Sequence, residues 1–186
     1  PERPALPNLK EIVAPTIVMV GECDIPDVHA HAGAIEAGIP GAQRYVIRNA
    51  GHLVPLEQPA VFNEQVGLLL RQAGFCRIIA TQGVAAGVKA FGDARAKDPE
   101  VQLFSETRIN QMGYEQLAKG SVDDAIELFN LAAAAYPQSW NVYDSLGEAY
   151  ARKGDRELAI KNYEKSLELN PDNANGKRVL QQLKGQ

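Results

Sequence analysis

The C-terminal half of the chain repeats itself. Sliding it along by 34 residues superposes Gly113 on Gly147, Gly120 on Gly154, Ala125 on Ala159, Ile126 on Ile160, Phe129 on Tyr163 and Pro137 on Pro171. A fixed period of this length is the mark of a solenoid, in which each unit buries its apolar face only against its neighbours. Within each unit the apolar residues recur at helical spacing, break at Lys119-Gly120-Ser121 or Lys153-Gly154-Asp155, resume at helical spacing and stop at a proline. Each unit is therefore a predicted helical hairpin. Glycine at 113 and 147 lets the paired helix approach closely, alanine at 125 and 159 fills the facing position, and Phe129 and Tyr163 are expected to fill the gap between neighbouring hairpins. Pro137 and Pro171 end the second helices because proline cannot continue them.

Unit one spans residues 106–139 and unit two 140–173. Residues 174–186 continue as one more helix with Val179, Leu180 and Leu183 on one side, as a solvating cap requires. Upstream, Gly83, Val88, Phe91 and Pro99 echo the pattern with slipped spacing, so 76–105 is expected to be a helical connector, with a degenerate hairpin over 76–99.

The residues Met112-Gly113, Gly120, Ala125, Phe129 and Pro137, then Leu146-Gly147, Tyr150, Gly154, Ala159, Tyr163 and Pro171, resemble the tetratricopeptide repeat. Gln116 departs from the aromatic usual there. The resemblance implies a protein or peptide ligand in a concave groove lined by the first helix of each unit. Its outward positions would be Asn110, Tyr114, Asp144, Glu148, Arg152 and, on the cap, Arg178. The charge of that groove is mixed, and the lysine and asparagine set that clamps a terminal carboxylate in some members of the family is missing.

Residues 1–75 have another rhythm. The β-branched run Thr16–Val20 predicts a strand, Val28–Gly38 a helix, Tyr45–Ile47 a second strand, Arg48–Pro59 a loop and Ala60–Gln72 an amphipathic helix. This is one β-α-β unit, so the fold class expected for the whole chain is a short two-stranded parallel α/β fragment followed by an all-α hairpin solenoid. A two-stranded parallel sheet leaves edges and apolar faces uncovered. It is expected to need support from residues 76–99, from self-association or from an upstream portion.

In Gly21-Glu22-Cys23-Asp24 an acid follows the first strand, and in Gly51-His52 a histidine follows the second. This order resembles the C-terminal segment of the α/β-hydrolase fold over residues 7–74. By that resemblance Asp24 is the acid that orients the imidazole of His52, the general base of a serine hydrolase triad. The nucleophile turn G-x-S-x-G is missing, and Ser105, Ser121, Ser139, Ser145 and Ser166 all lie in or beside the repeat helices. The resemblance thus implies the C-terminal piece of a serine hydrolase with a repeat tail, inactive on its own. The alternative is a non-enzymatic binding or scaffold protein with a relic hydrolase segment.

The net charge of −4 leaves no basic footprint for nucleic acid, and no apolar run approaches the roughly 20 residues that a membrane-spanning helix needs. No cofactor is expected. His29 and His31 fall on different sides of the predicted helix, which argues against a metal site with Asp24 and Asp27. Cys23 and Cys76 form no CxxC pair and are expected to be reduced core thiols of a cytoplasmic protein.

Overall fold

The computed structural model describes residues 6–12 and 14–185. The chain divides into two compact units, Pro1–Gly74 and Phe75–Gln186.

In the first unit a 3-10 turn, Leu6–Glu11, precedes strand β1 (Ile17–Gly21), helix α1 (Pro26–Gly38) and strand β2 (Gln43–Ile47). The strands pair in parallel, with Ile17 opposite Gln43 and Gly21 opposite Ile47. Helix α1 begins two residues before the sequence expectation because Pro26 is accommodated in the first turn, where its missing N–H costs nothing. Strand β2 likewise starts before Tyr45, at Gln43, whose amide donates to the Thr16 carbonyl. What the unit contains is a two-stranded parallel β-α-β element. Ile47, Ala50 and Val54 are its buried apolar cluster, with Met19, Tyr45, Val61 and Phe62 packed against them. Val46, on the other side of β2, is exposed.

The loop expected over Arg48–Pro59 contains a one-turn helix, α2 (Val54–Glu57). The helix expected to stop at Gln72, α3, runs from Pro59 to Gln82. Nothing between Gln72 and Gln82 breaks it. Gly74 alone weakens a helix interior by only about 1 kcal/mol, and the chain turns at Gly83, whose φ of +88° is accessible to glycine without strain.

The second unit begins with the end of α3 and continues through α4 (Val84–Lys97), α5 (Glu106–Ala118), α6 (Val122–Ala135), α7 (Trp140–Lys153), α8 (Arg156–Leu169) and α9 (Ala174–Gly185). Two of the helix starts are capped by a side chain. The side chains of Ser105 and Asp155 accept hydrogen bonds from the amides of Arg108 and Leu158, satisfying N–H groups that the helix leaves open. The turns inside the two hairpins place Gly120 and Gly154 at φ of +80° and +86°. Pro137 and Pro171 follow the last residues of α6 and α8 closely.

The hairpins are held by aromatic rings seated on glycines. A Cβ on Gly113 would lie 2.3 Å from Cε1 of Phe129, and one on Gly147 would lie 2.8 Å from Cδ2 of Tyr163. Phe129 also belongs to the cluster that joins Leu117, Ala125 and Ile126 to Leu146 and Ala149 of the next unit. The expected gap-filling between hairpins is thus combined with a tighter contact inside each one. A second cluster runs from Phe75 and Ile79 through Phe91 and Phe104 to Ile109, Leu128 and Val142. Phe104 lies at its centre, with ring centroids 5.0 Å from Phe75 and 5.3 Å from Phe91. Gly87 admits Ile79 in the same way, since a Cβ there would come within 2.5 Å of the Ile79 side chain.

These contacts separate two substitutions of the same kind. Gly113→Ala drives a methyl into the Phe129 ring and should destabilise the protein by about 1–3 kcal/mol. Gly92→Ala, with nothing within 4 Å of the new methyl, should stabilise helix α4 by about 0.5–1 kcal/mol. Urea denaturation of the two variants checks both signs.

Candidate functional site

Helices α5, α7 and α9 carry the side chains anticipated for a ligand groove, and the structure joins some of them directly. The Tyr114 hydroxyl donates to Oε2 of Glu148 at 3.1 Å and lies 3.3 Å from Oγ of Ser145. Oε1 of Glu148 accepts from both Nε and Nη2 of Arg152, at 3.1 and 2.7 Å. Tyr114, Glu148 and Arg152 therefore form one polar chain from the repeat 106–139 to the repeat 140–173. The Tyr114 ring is fixed from behind by an edge contact with Phe129, 5.3 Å between centroids. Burial pushes the Tyr114 phenol above its ordinary pKa, the Ser145 hydrogen bond opposes this, and the Glu148 carboxylate adds to it.

The other anticipated residues have different surroundings. Asp144 accepts from Nδ2 of Asn173 at 2.6 Å, and that same nitrogen donates to Oγ of Ser166 at 3.0 Å. The Asn173 carbonyl oxygen accepts the amide of Gly176, so Asn173 caps α9 while tying it to α7 and α8. Arg178 donates to Oδ1 of Asn175 at 2.8 Å. Asn110 is half-buried, and its Oδ1 is buried without a hydrogen-bond partner among the described residues.

Glu148, Ala151, Arg152, Tyr163, Asn175, Arg178 and Val179 line an open cleft of about 430 Å³. Sequence reasoning missed Asn173, Tyr163 and Asn175 in this region. Only Asn173 had a legible signal, as a capping residue two places beyond Pro171. Burial raises the Tyr163 phenol, and the carboxylates of Asp144 and Glu148 raise it further.

In the first unit the strand ends bring Asp24 and His52 together. The amides of Glu22 and Cys23 donate to the carbonyls of Ile47 and Ala50, continuing the strand pairing into the loop. Gly21 makes this possible, because a Cβ there would fall 2.0 Å from the Gly51 carbonyl oxygen. Nδ1 of His52 then lies 3.0 Å from Oδ2 of Asp24, and Oδ1 of Asp24 accepts the Ile25 amide at 2.8 Å. The Asp24 side chain is 7% exposed and the His52 side chain 74%. Burial pushes the Asp24 carboxyl up, but the hydrogen bonds from Ile25 and His52 and the two nearby imidazoles outweigh it and hold it below its ordinary value.

A carboxylate that the sequence reading passed over fixes this loop. Glu57 accepts the Gly51 amide at 2.7 Å and the Leu53 amide at 3.0 Å, so its two oxygens grip the backbone on either side of His52. Cys23, expected to be a core thiol, is exposed, and Cys76 is half-buried with its Sγ 3.8 Å from Sδ of Met112. Both thiols are free, but neither is fully buried in a core. No group of three or more His, Cys, Asp or Glu side chains is gathered as a metal site among the described residues. No helix among them is long and apolar enough to cross a membrane.

Residues 140–173 match the tetratricopeptide repeat family model. The chain is 34% identical over 77 residues to cellulose synthase operon protein C of Escherichia coli (strain K12), which covers 41% of this chain and 7% of that protein. It is 38% identical over 60 residues to superkiller complex protein 3 of Mus musculus, covering 32% and 4%. The chain thus spans less than a tenth of the length of these relatives. Among solved structures, "First TPR of Spaghetti (RPAP3) bound to HSP90 peptide SRMEEVD" aligns with 63% of this chain and 90% of its own, at 19% identity and a TM-score of 0.43. The chain contains a tetratricopeptide repeat. None of these likenesses is to an α/β-hydrolase.

Asp24→Asn should remove the partner that selects the Nδ1–H tautomer of His52, and 15N shifts of the imidazole report it. A carboxyl held low when folded stabilises the fold above its unfolded pKa of about 4, and that contribution is lost as the pH falls through the lowered folded value. The variant should therefore show a flatter loss of stability on that acid limb. Glu57→Gln leaves a single acceptor for two amides, so hydrogen exchange at Gly51 and Leu53 should accelerate by about ten-fold.

Proposed function

We propose that this chain is a protein-interaction module whose helical repeats bind a peptide segment of another protein along α5, α7 and α9. The observation that supports it is the polar chain Tyr114–Glu148–Arg152, which crosses from one unit to the next on the first helices. Asn110, Tyr114, Asp144, Glu148, Arg152 and Arg178 are assigned to the ligand face. Extended peptides suit such a face because adjacent units offer the same helix positions at a regular spacing.

A second reading concerns the first unit, and the 3.0 Å contact between His52 and Asp24 favours it. Residues 7–74 would descend from the C-terminal segment of an α/β-hydrolase, with Asp24 and His52 as acid and base. Without a nucleophile of its own the chain is assigned no hydrolytic activity. The binding reading takes precedence because the repeat match supports it independently.

A peptide selected from a displayed library against the whole chain tests the first reading. Tyr114→Ala and Arg152→Ala should each weaken its binding by about five-fold or more, whereas Lys161→Ala on α8 should not. Saturable binding untouched by both variants would remove the groove assignment. Ester hydrolysis by the purified chain that His52→Ala abolishes would overturn the assignment of inactivity.

A further inference from the structure

The cleft between α7, α8 and α9 offers more donors than acceptors. Each carboxylate or amide oxygen of its lining side chains already serves this chain, since Oε1 of Glu148 accepts twice from Arg152, Oε2 accepts from Tyr114, and Oδ1 of Asn175 accepts from Arg178. Nη1 of Arg152, Nε of Arg178, Nδ2 of Asn175 and the Tyr163 hydroxyl are without a hydrogen-bond partner among the described residues, while Nη1 and Nη2 of Arg178 donate to Gln182 and Asn175. Two guanidinium groups face one carboxylate, so the lining carries a formal charge of +1 in a chain whose net charge is −4. Ala151 and Val179 add an apolar wall beside the donors.

We infer that this cleft is the specificity pocket for an acidic side chain, a glutamate or aspartate within the bound peptide. Two arginines on different helices grip a carboxylate through charge-assisted hydrogen bonds, and the wall of Ala151 and Val179 receives the methylene stem of such a side chain. A chain-terminal carboxylate has no stem to use that wall. Glu148 already stands in for the ligand carboxylate at Arg152, so an arriving acid competes with it. The inference rests on the reading of α5, α7 and α9 as a peptide face and names the residue class that face selects.

The test is an NMR titration of the whole chain with four nine-residue peptides of alanine and serine. Three are acetylated and amidated with glutamate, glutamine or lysine at the centre, and the fourth has no acid except a free C-terminal carboxylate. The glutamate peptide should shift Ala151, Val179 and the Arg152 and Arg178 Nε–H signals, with the glutamine peptide about ten-fold weaker. Arg178→Gln should weaken the glutamate peptide by a similar factor. Glu148→Gln, which frees Arg152 and raises the lining charge to +2, should strengthen it several-fold.

Equal binding of the glutamate and glutamine peptides, or preference for lysine, overturns the inference while leaving the peptide face intact if Tyr114 and Asp144 still respond. Preference for the free terminus reassigns the pocket to a chain end. No response anywhere on α5, α7 or α9 at millimolar peptide overturns the peptide face itself.

Discussion

The seat of an aromatic ring on a glycine is the contact from which the second unit is built. With Phe129 on Gly113 and Tyr163 on Gly147, the two helices of each hairpin approach closer than any side chain at those positions would allow. Close approach buries Ala125 and Ala159 completely, and interiors packed at that density lose dispersion contacts outright when a void opens. The same seating fixes where the polar groups end up. Phe129 sets the Tyr114 ring at its edge, and Tyr114 then reaches across to Glu148. The position of this polar chain is therefore a consequence of the packing beneath it.

The strand-end site depends on a comparable approach of backbone to backbone. Gly21 lets the Gly51 carbonyl come near, and the ladder continues through Cys23 and Ala50 until Asp24 faces His52. A buried carboxylate beside an exposed imidazole keeps the ring oriented without enclosing it. Glu57 adds a restraint on the backbone rather than on the ring. This is a well-anchored acid–histidine pair on a two-stranded sheet.

Much of this was legible in the residues because it follows from spacing. The 34-residue period placed both glycine seats, both turns and both terminating prolines; it also relates Tyr114 to Glu148, and Arg152 joins them as the residue one helical turn beyond Glu148. Asp24 and His52 were legible from their place after two strand patterns. The rest depends on contacts distant in sequence. The length of α3 could not be read because Gly74 looks like a break and is merely a weak residue inside a helix. Nothing near Glu57 announces that its carboxylate turns back to Gly51 and Leu53. Nor does spacing show that one oxygen of Asp144 holds Asn173, and Cys23 looked like a core thiol but sits where the strand has already ended.

Asn173 joins two events that would otherwise be independent. It caps α9 through the Gly176 amide and at the same time holds Asp144 and Ser166, while α9 supplies Asn175, Arg178 and Val179 to the cleft wall. Repeat arrays open locally, helix by helix. Detachment of α9 would dismantle the cleft, so a ligand held there and order in α9 would be linked, each drawing the other by the same free energy.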